Sequence, residues 1–114
     1  MIGTQTASIR IAKPRDELWE LLVTIAAIPD WYDDWDTVEY DDQTYRRLQS
    51  GVGFRLVRHH DRGIEVAQCR VVLAEAPRRL RWIEDGPHVR AISVDFHLEP
   101  ESAEATMLTL TKSC

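Results

Sequence analysis

Ser93, Asp95 and His97 stand at alternate positions of one segment and together offer a hydroxyl, a carboxylate and an imidazole, the groups of a hydrolytic triad. Ile92, Val94, Phe96 and Leu98 alternate with them, and in a strand the apolar set takes the buried face. The triad look-alike is therefore expected to face outward. Residues two apart on a strand are also about 6.6–6.8 Å apart, too far for a triad's two short hydrogen bonds. His59-His60-Asp61 brings metal-binding groups together in sequence, but adjacent strand residues point to opposite faces, and a hairpin end is the better account. The two cysteines, Cys69 and Cys114, are too few for a zinc site or a disulfide framework. Cys69, with no histidine in its expected neighbourhood, reads as a small core residue. No metal and no cofactor is expected.

Arg58, Glu65 and Arg90 are the candidates for catalytic chemistry. A two-residue turn at Asp61-Arg62 pairs His60 with Gly63. Counting back from it sets Arg58 opposite Glu65, Leu56 opposite Ala67, Phe54 opposite Cys69 and Val52 opposite Val71. On the inner face such a charged pair can orient a carbonyl or hydroxyl, or exchange a proton. As a plain cross-strand ion pair with its arginine reaching water, it contributes under about 1 kcal/mol. Arg90 is expected beside Trp82, as an anion or enol anchor or as a cation–π contact. Trp31, Trp35 and Tyr40 divide between ring packing and ligand contact, whereas Trp19 belongs to the core.

The elements that must position these groups follow from periodicity. Segment 6–11 alternates as a strand. Pro14, Asp16 and Glu17 then open a helix over 15–25, with Leu18, Leu21, Leu22 and Ile25 on one face. Pro29 interrupts, and 30–35 is a short helical turn or loop. Strands are expected at 37–40, 53–59, 63–74, 79–83, 89–98 and 105–111, an α+β chain ending in a long antiparallel meander. A four-residue turn at 75–78 pairs Leu73 with Leu80 and Val71 with Trp82. A turn over 84–88 pairs Leu80 with Ile92 and Trp82 with Arg90, and one at 101–103 sets Phe96 against Leu108 and Val94 against Leu110. Phe54, Leu56, Cys69, Trp82, Val94, Phe96 and Leu108 then line one inner surface, joined by the polar Arg58, Glu65, Arg90 and Thr106.

Residues 1–114 are expected to form one domain, since chains of this size bury only about two-thirds of the surface they expose unfolded. The net charge of −5 is local: seven acids and no base lie between Asp30 and Asp42, leaving 12 acids against 14 bases elsewhere. With the bases dispersed, there is no basic footprint for nucleic acid. No apolar run reaches membrane-spanning length, and the N-terminus lacks the pattern of a signal peptide. A cytoplasmic location without membrane insertion is the expectation.

The succession SIRIAKPRDELWELL, IPDWYDDW, GVGFRL, EAPRRLRW and a final EATMLTL strand resembles the START-like (SRPBCC) superfamily, nearest to its polyketide cyclase/dehydrase-type proteins. Most telling are the helix start from Pro14 to Trp19 and the Pro29-x-Trp31 that follows. The resemblance implies a helix-grip fold: a curved antiparallel sheet of about seven strands, short N-terminal helices, and an apolar cavity closed against a long C-terminal helix. It also implies that the segment carrying Trp31 and Trp35 closes the cavity mouth. Only Lys112-Ser113-Cys114 follow the last expected strand, so the C-terminal helix is expected to be missing.

Two functions follow. One is binding of a small hydrophobic or aromatic molecule in the sheet-lined cavity, alone or with cyclase/dehydratase-like catalysis by Arg58, Glu65 or Arg90. The other is a non-catalytic interaction module whose uncovered sheet face self-associates as a homo-oligomer or docks a partner protein.

Overall fold

The computed structural model describes residues 3–32, 34–86 and 91–114. The chain runs β1 (Thr4–Ile11), α1 (Arg15–Val23), a 3₁₀ turn (Ile25–Ala27), α2 (Ile28–Trp31), β2 (Thr37–Tyr40), β3 (Gly53–His60), β4 (Gly63–Glu75), β5 (Arg79–Asp85), β6 (Ile92–Ser102) and β7 (Ala105–Ser113). The strands form one seven-stranded antiparallel sheet in the order β1-β7-β6-β5-β4-β3-β2.

Asp16 and Glu17 occupy the first turn of α1, where negative charge meets the positive end of the helix. Leu18, Trp19, Leu22 and Val23 are its buried face. The helix ends before the expected Ile25 because Thr24 turns extended and bridges to Arg47 in the loop before β3. Pro29 does not break the following segment. It lies in the first turn of α2, where a missing N–H leaves no hydrogen bond unmade.

The β3–β4 hairpin has the register expected from its turn, with Gly63 at φ 132°, a conformation open to glycine and closed to most side chains. Beyond it the sheet departs from expectation three times. A bulge between Val71 and Leu73 leaves Val71 opposite Trp82 but sets Ala74, not Leu73, opposite Leu80. β5 continues through Glu84 and Asp85, so Leu80 meets Phe96, Trp82 meets Val94 and Glu84 meets Ile92, four residues beyond the expected pairing. Trp82 is therefore not paired with Arg90, which lies outside the described residues. A tight turn after Ser102 then pairs Phe96 with Leu110, Val94 with Lys112 and Leu98 with Leu108, displaced by two.

The inner face consequently reads in rows across the strands. One row runs Phe54, Cys69, Glu84, Ile92; the next Val71, Trp82, Val94, Lys112; the next Leu80, Phe96, Leu110, Ala7; and another Leu98, Leu108, Ile9. Phe54, Cys69, Trp82, Val94, Phe96, Leu80 and Leu98 are fully or almost fully buried beneath α1 and the α2 segment. Towards β1 the cover thins: Leu108 and Leu110 are half-buried and Ile9 is 60% exposed.

The outer face is mixed, with Ile64 and Val66 of β4 exposed among polar groups. Thr4, Thr6 and Ser8 hydrogen-bond to Ser113, Thr111 and Thr109 at 3.3, 3.3 and 2.9 Å. Asp95 lies there as expected, and it is engaged by Arg79 at 3.0 Å and Arg81 at 2.7 Å rather than by Ser93 or His97. Burial raises the Asp95 pKa, but the two guanidinium hydrogen bonds outweigh that and hold the carboxyl below its ordinary 3.8. Because the folded value is depressed, the pairing stabilises the fold above pH 3.8 and is lost as pH falls through the folded value. Asp95→Asn should thus lower the urea midpoint at pH 7, with the gap to wild type narrowing below pH 3.8. A gap unchanged in acid would refute this assignment.

Candidate functional site

Rings from four elements meet over the middle of the inner face. Trp82 is the hub, with centroids 5.2 Å from Phe54, 5.1 Å from Phe96, 5.9 Å from Tyr32 and 6.3 Å from Trp31. Edge-on and tilted contacts at these spacings suit aromatic quadrupoles. Trp31 ends α2 and Tyr32 follows it, so this short helix delivers two rings onto the sheet.

One carboxylate is enclosed with them. Glu84 is 7% exposed, and its Oε1 accepts the Tyr32 hydroxyl at 3.2 Å and the Trp82 indole N–H at 3.3 Å. Among the described residues no donor is placed on Oε2. With Oε1 already accepting twice, a proton on the carboxyl is favoured on Oε2. Burial raises the Glu84 pKa above 4.5; Trp82, Lys112 and Tyr32 oppose the rise without cancelling it, and the Asp34 charge adds to it. Lys112 Nζ lies 4.6 Å from the Tyr32 ring centroid and 3.5 Å from Asp34 Oδ2. Burial, then the neighbouring Glu84 charge, raises the Tyr32 pKa, so the phenol remains a donor. Burial likewise pushes the Cys69 thiol up, as expected of a core cysteine rather than a nucleophile.

Glu84 and Lys112 are absent from the candidates read from the sequence. The signal was available: Leu80, Trp82 and Glu84 share one face by period two, as do Leu108, Leu110 and Lys112. Their charges instead suggested a turn and a tail. The other candidates divide into two places. Trp31, Phe54, Cys69, Val94 and Phe96 belong to one cluster with Trp82, with Leu56 buried on β3 and Leu108 on the less covered side. Arg58 and Glu65 lie at the rim of the hairpin, half-exposed, with Arg58 against the ring of Trp35. Only the charged pair is at the rim, for Trp35 is itself a buried member of the core cluster: Arg58 lies 4.9 Å from the Trp35 ring centroid and bonds Glu65 at 2.6 Å, while His60 Nε2 lies 3.1 Å from the same carboxylate. Tyr40 packs against the edge of the cluster, under the guanidinium of Arg46 at 5.0 Å.

The Arg58 and Glu65 side chains are 41% and 32% exposed, the setting of the plain ion pair. Arg58→Ala should cost under about 1 kcal/mol of stability, read by urea unfolding. It should also leave aromatic-ligand affinity within about twofold; a tenfold loss, some 1.4 kcal/mol, would make Arg58 a ligand-binding residue. Two open grooves, of about 410 Å³ beside Asp41 and Arg70 and about 450 Å³ over Asp95, lie away from Glu84.

No family model matches the chain, and no curated protein sequence does. Solved structures do. An aromatase/cyclase, Zhui from Streptomyces sp. R1128, superposes with TM-score 0.81 at 23% identity, over 99% of this chain and 67% of that one. A START superfamily protein from Mycobacterium smegmatis gives 0.78 at 13% identity, over 96% and 74%. A protein from Rhodobacter sphaeroides gives 0.76 at 24% identity, over 99% and 76%. At these identities the likeness is one of architecture, an α+β helix-grip fold of the START-like kind with a short helical part.

Proposed function

We propose that this chain binds a small hydrophobic or aromatic molecule against the inner face of its sheet, and that Glu84 serves there as a proton donor in cyclisation- or dehydration-type chemistry. The observation that carries the reading is Glu84 itself. It is a buried carboxyl with one oxygen held by two donors and the other left to donate, set in a wall of aromatic rings. Apolar walls with a few convergent polar groups are how small-molecule sites are built, and an acid retaining its proton to higher pH is suited to protonating a carbonyl or a departing hydroxyl. The half-buried Leu108 and Leu110 beside the aromatic cluster supply the floor. The aromatase/cyclase with the same fold lends support by analogy.

Native mass spectrometry of freshly purified protein tests the reading. The expected result is a co-purifying small molecule, or one-to-one uptake of an added aromatic ketone. Protein that remains empty against aromatic ketones and fatty acids at 1 mM (a chosen concentration, roughly the weak end of small-ligand affinities) overturns it. The exposure of Ile9 beside Leu108 and Leu110 favours a second reading, self-association over this strip. The same spectrum then shows a dimer mass in place of a ligand.

A further inference from the structure

The side of the sheet turned away from the aromatic cluster has a cavity of its own. Strand registers there set polar side chains in rows: Arg81, Asp95, Thr111 and Thr6 in one, Arg79, His97, Thr109 and Ser8 in the next, and Ser93, Ser113 and Thr4 on the other side. The triad look-alike of Ser93, Asp95 and His97 is thus one column of a larger array. A groove of about 450 Å³ opens over the β5, β6 and β7 columns, a volume within the range of small-molecule sites.

We propose that this outer groove binds a phosphate group, free or as the monoester of a small molecule, held by Arg79 and Arg81 and by hydroxyls of β6 and β7. The assignment is independent of the inner-face site. Donors outnumber acceptors along the groove. Asp95 accepts Nε of Arg79 and Arg81 at 3.4 and 2.8 Å, and Nη2 of each at 3.0 and 2.7 Å. A guanidinium is a planar fork of five N–H donors, so each arginine keeps the edge formed by Nη1 and the second Nη2 proton. Among the described residues no acceptor is placed on Nη1 of either arginine. The same four bonds saturate Asp95, whose side chain is only 14% exposed. Two arginines against this carboxylate leave the lining positive in a chain of net charge −5. Between β7 and β1 each of three hydroxyl pairs uses one proton internally and keeps one to donate, and Ser93 adds another hydroxyl. His97 Nε2 is turned to the exposed Glu99 carboxylate at 3.7 Å and adds nothing to this set. A lining of donors calls for a ligand group that only accepts. A carboxylate brings two oxygens; a phosphate monoester brings three, with a charge of about −1.5 to −2 near pH 7, and suits paired N–H bonds from guanidinium.

Glycerol 3-phosphate, which has no ring to enter the aromatic cluster, tests the assignment by ¹H–¹⁵N NMR titration at low salt, beside inorganic phosphate and glycerol. The Nε–H signals of Arg79 and Arg81 and the amides of Thr109, Thr111 and Ser113 should move with the two phosphates and stay still with glycerol. Tighter binding of the ester assigns the groove to a phosphorylated molecule, and equal binding to the free ion. Arg81→Gln should weaken glycerol 3-phosphate about tenfold, as loss of a charged hydrogen-bonding partner requires. Arg78→Gln, an equal change of charge outside the groove beside Glu75, should leave affinity within about twofold. Asp95→Asn should tighten binding about twofold or more by removing the competing charge, even as it destabilises the fold. Residues that merely hold the sheet together would give a loss instead. Should Arg81→Gln fold poorly, the wild-type titration decides. Arginine signals that do not move, the same movement with glycerol, or equal losses in the two arginine variants overturn the proposal, and none of these results bears on the inner-face site.

Discussion

Trp82→Ala should cost about 3–5 kcal/mol, the largest loss expected of any single truncation in this chain. The indole is fully buried and touches rings from α2, the segment after it, β3 and β6. Its removal subtracts the transfer free energy of a large ring and leaves a void that four rigid neighbours cannot close. It also takes one of two donors from Glu84 Oε1. Domains of this size have about 5–15 kcal/mol of stability, so the variant should have a much lower urea midpoint and become partly unfolded near 37 °C. A loss below about 1 kcal/mol would show that the aromatic hub is not the centre of the core.

Glu84→Gln should leave binding of 2-acetylnaphthalene within about twofold, while slowing exchange of the ketone's α-protons with D2O by about 10²–10⁴-fold. Glutamine keeps an oxygen for Tyr32 and Trp82 but cannot release a proton. In the exchange, the Oε2 proton passes to the carbonyl oxygen as water removes a proton from the adjacent carbon; the enol then takes a deuteron at that carbon from solvent and returns its hydroxyl proton to Oε2. The stability of the variant carries a second signature. The folded pKa of Glu84 is raised above 4.5, so between the two values the native state holds a proton that the unfolded state has released. Wild-type stability therefore falls as pH rises from 4.5 through the folded value, whereas the glutamine variant lacks that decline. The variant should gain on wild type with increasing pH, measured as urea midpoints from pH 4 to 8 (chosen to span the usual carboxyl range and neutrality, roughly). A constant difference across the range would place the Glu84 carboxyl in an ordinary solvated setting, and unchanged exchange would remove it from the chemistry.

What could be read in advance depended on parity. In the β3–β4 hairpin a two-residue turn left no freedom, and an odd slip would have brought Gln68 beside Leu56, so the register followed. At β5–β6 and β6–β7 the expected pairings were displaced by four and two residues. Even displacements keep every side chain on its own face, so apolar alternation cannot distinguish them; only turn lengths can, and those turns carry no unique signal. The bulge at Val71/Leu73 changes parity within a strand, which no periodic pattern discloses. These displacements explain the uneven reading of the site. The apolar lining was legible because faces survive even slips. Glu84 and Lys112 were not, because their place depends on how far β5 and β7 run before turning or ending.

The pairing of β1 has a consequence for the order in which this molecule can be built. β1 is bonded to β7 alone, with Thr4 meeting Ser113 across almost the whole chain. During synthesis its eight residues must wait without that partner until β7 has left the ribosome, and a chain stalled before Ala105 would carry β6 as a raw edge beside an unclaimed β1. Of the seven strands of this sheet, the earliest in sequence pairs with the latest. Closure of the sheet should therefore limit the folding rate, and a companion that shields Thr4–Ile11 from other nascent chains would raise yield without touching the finished structure.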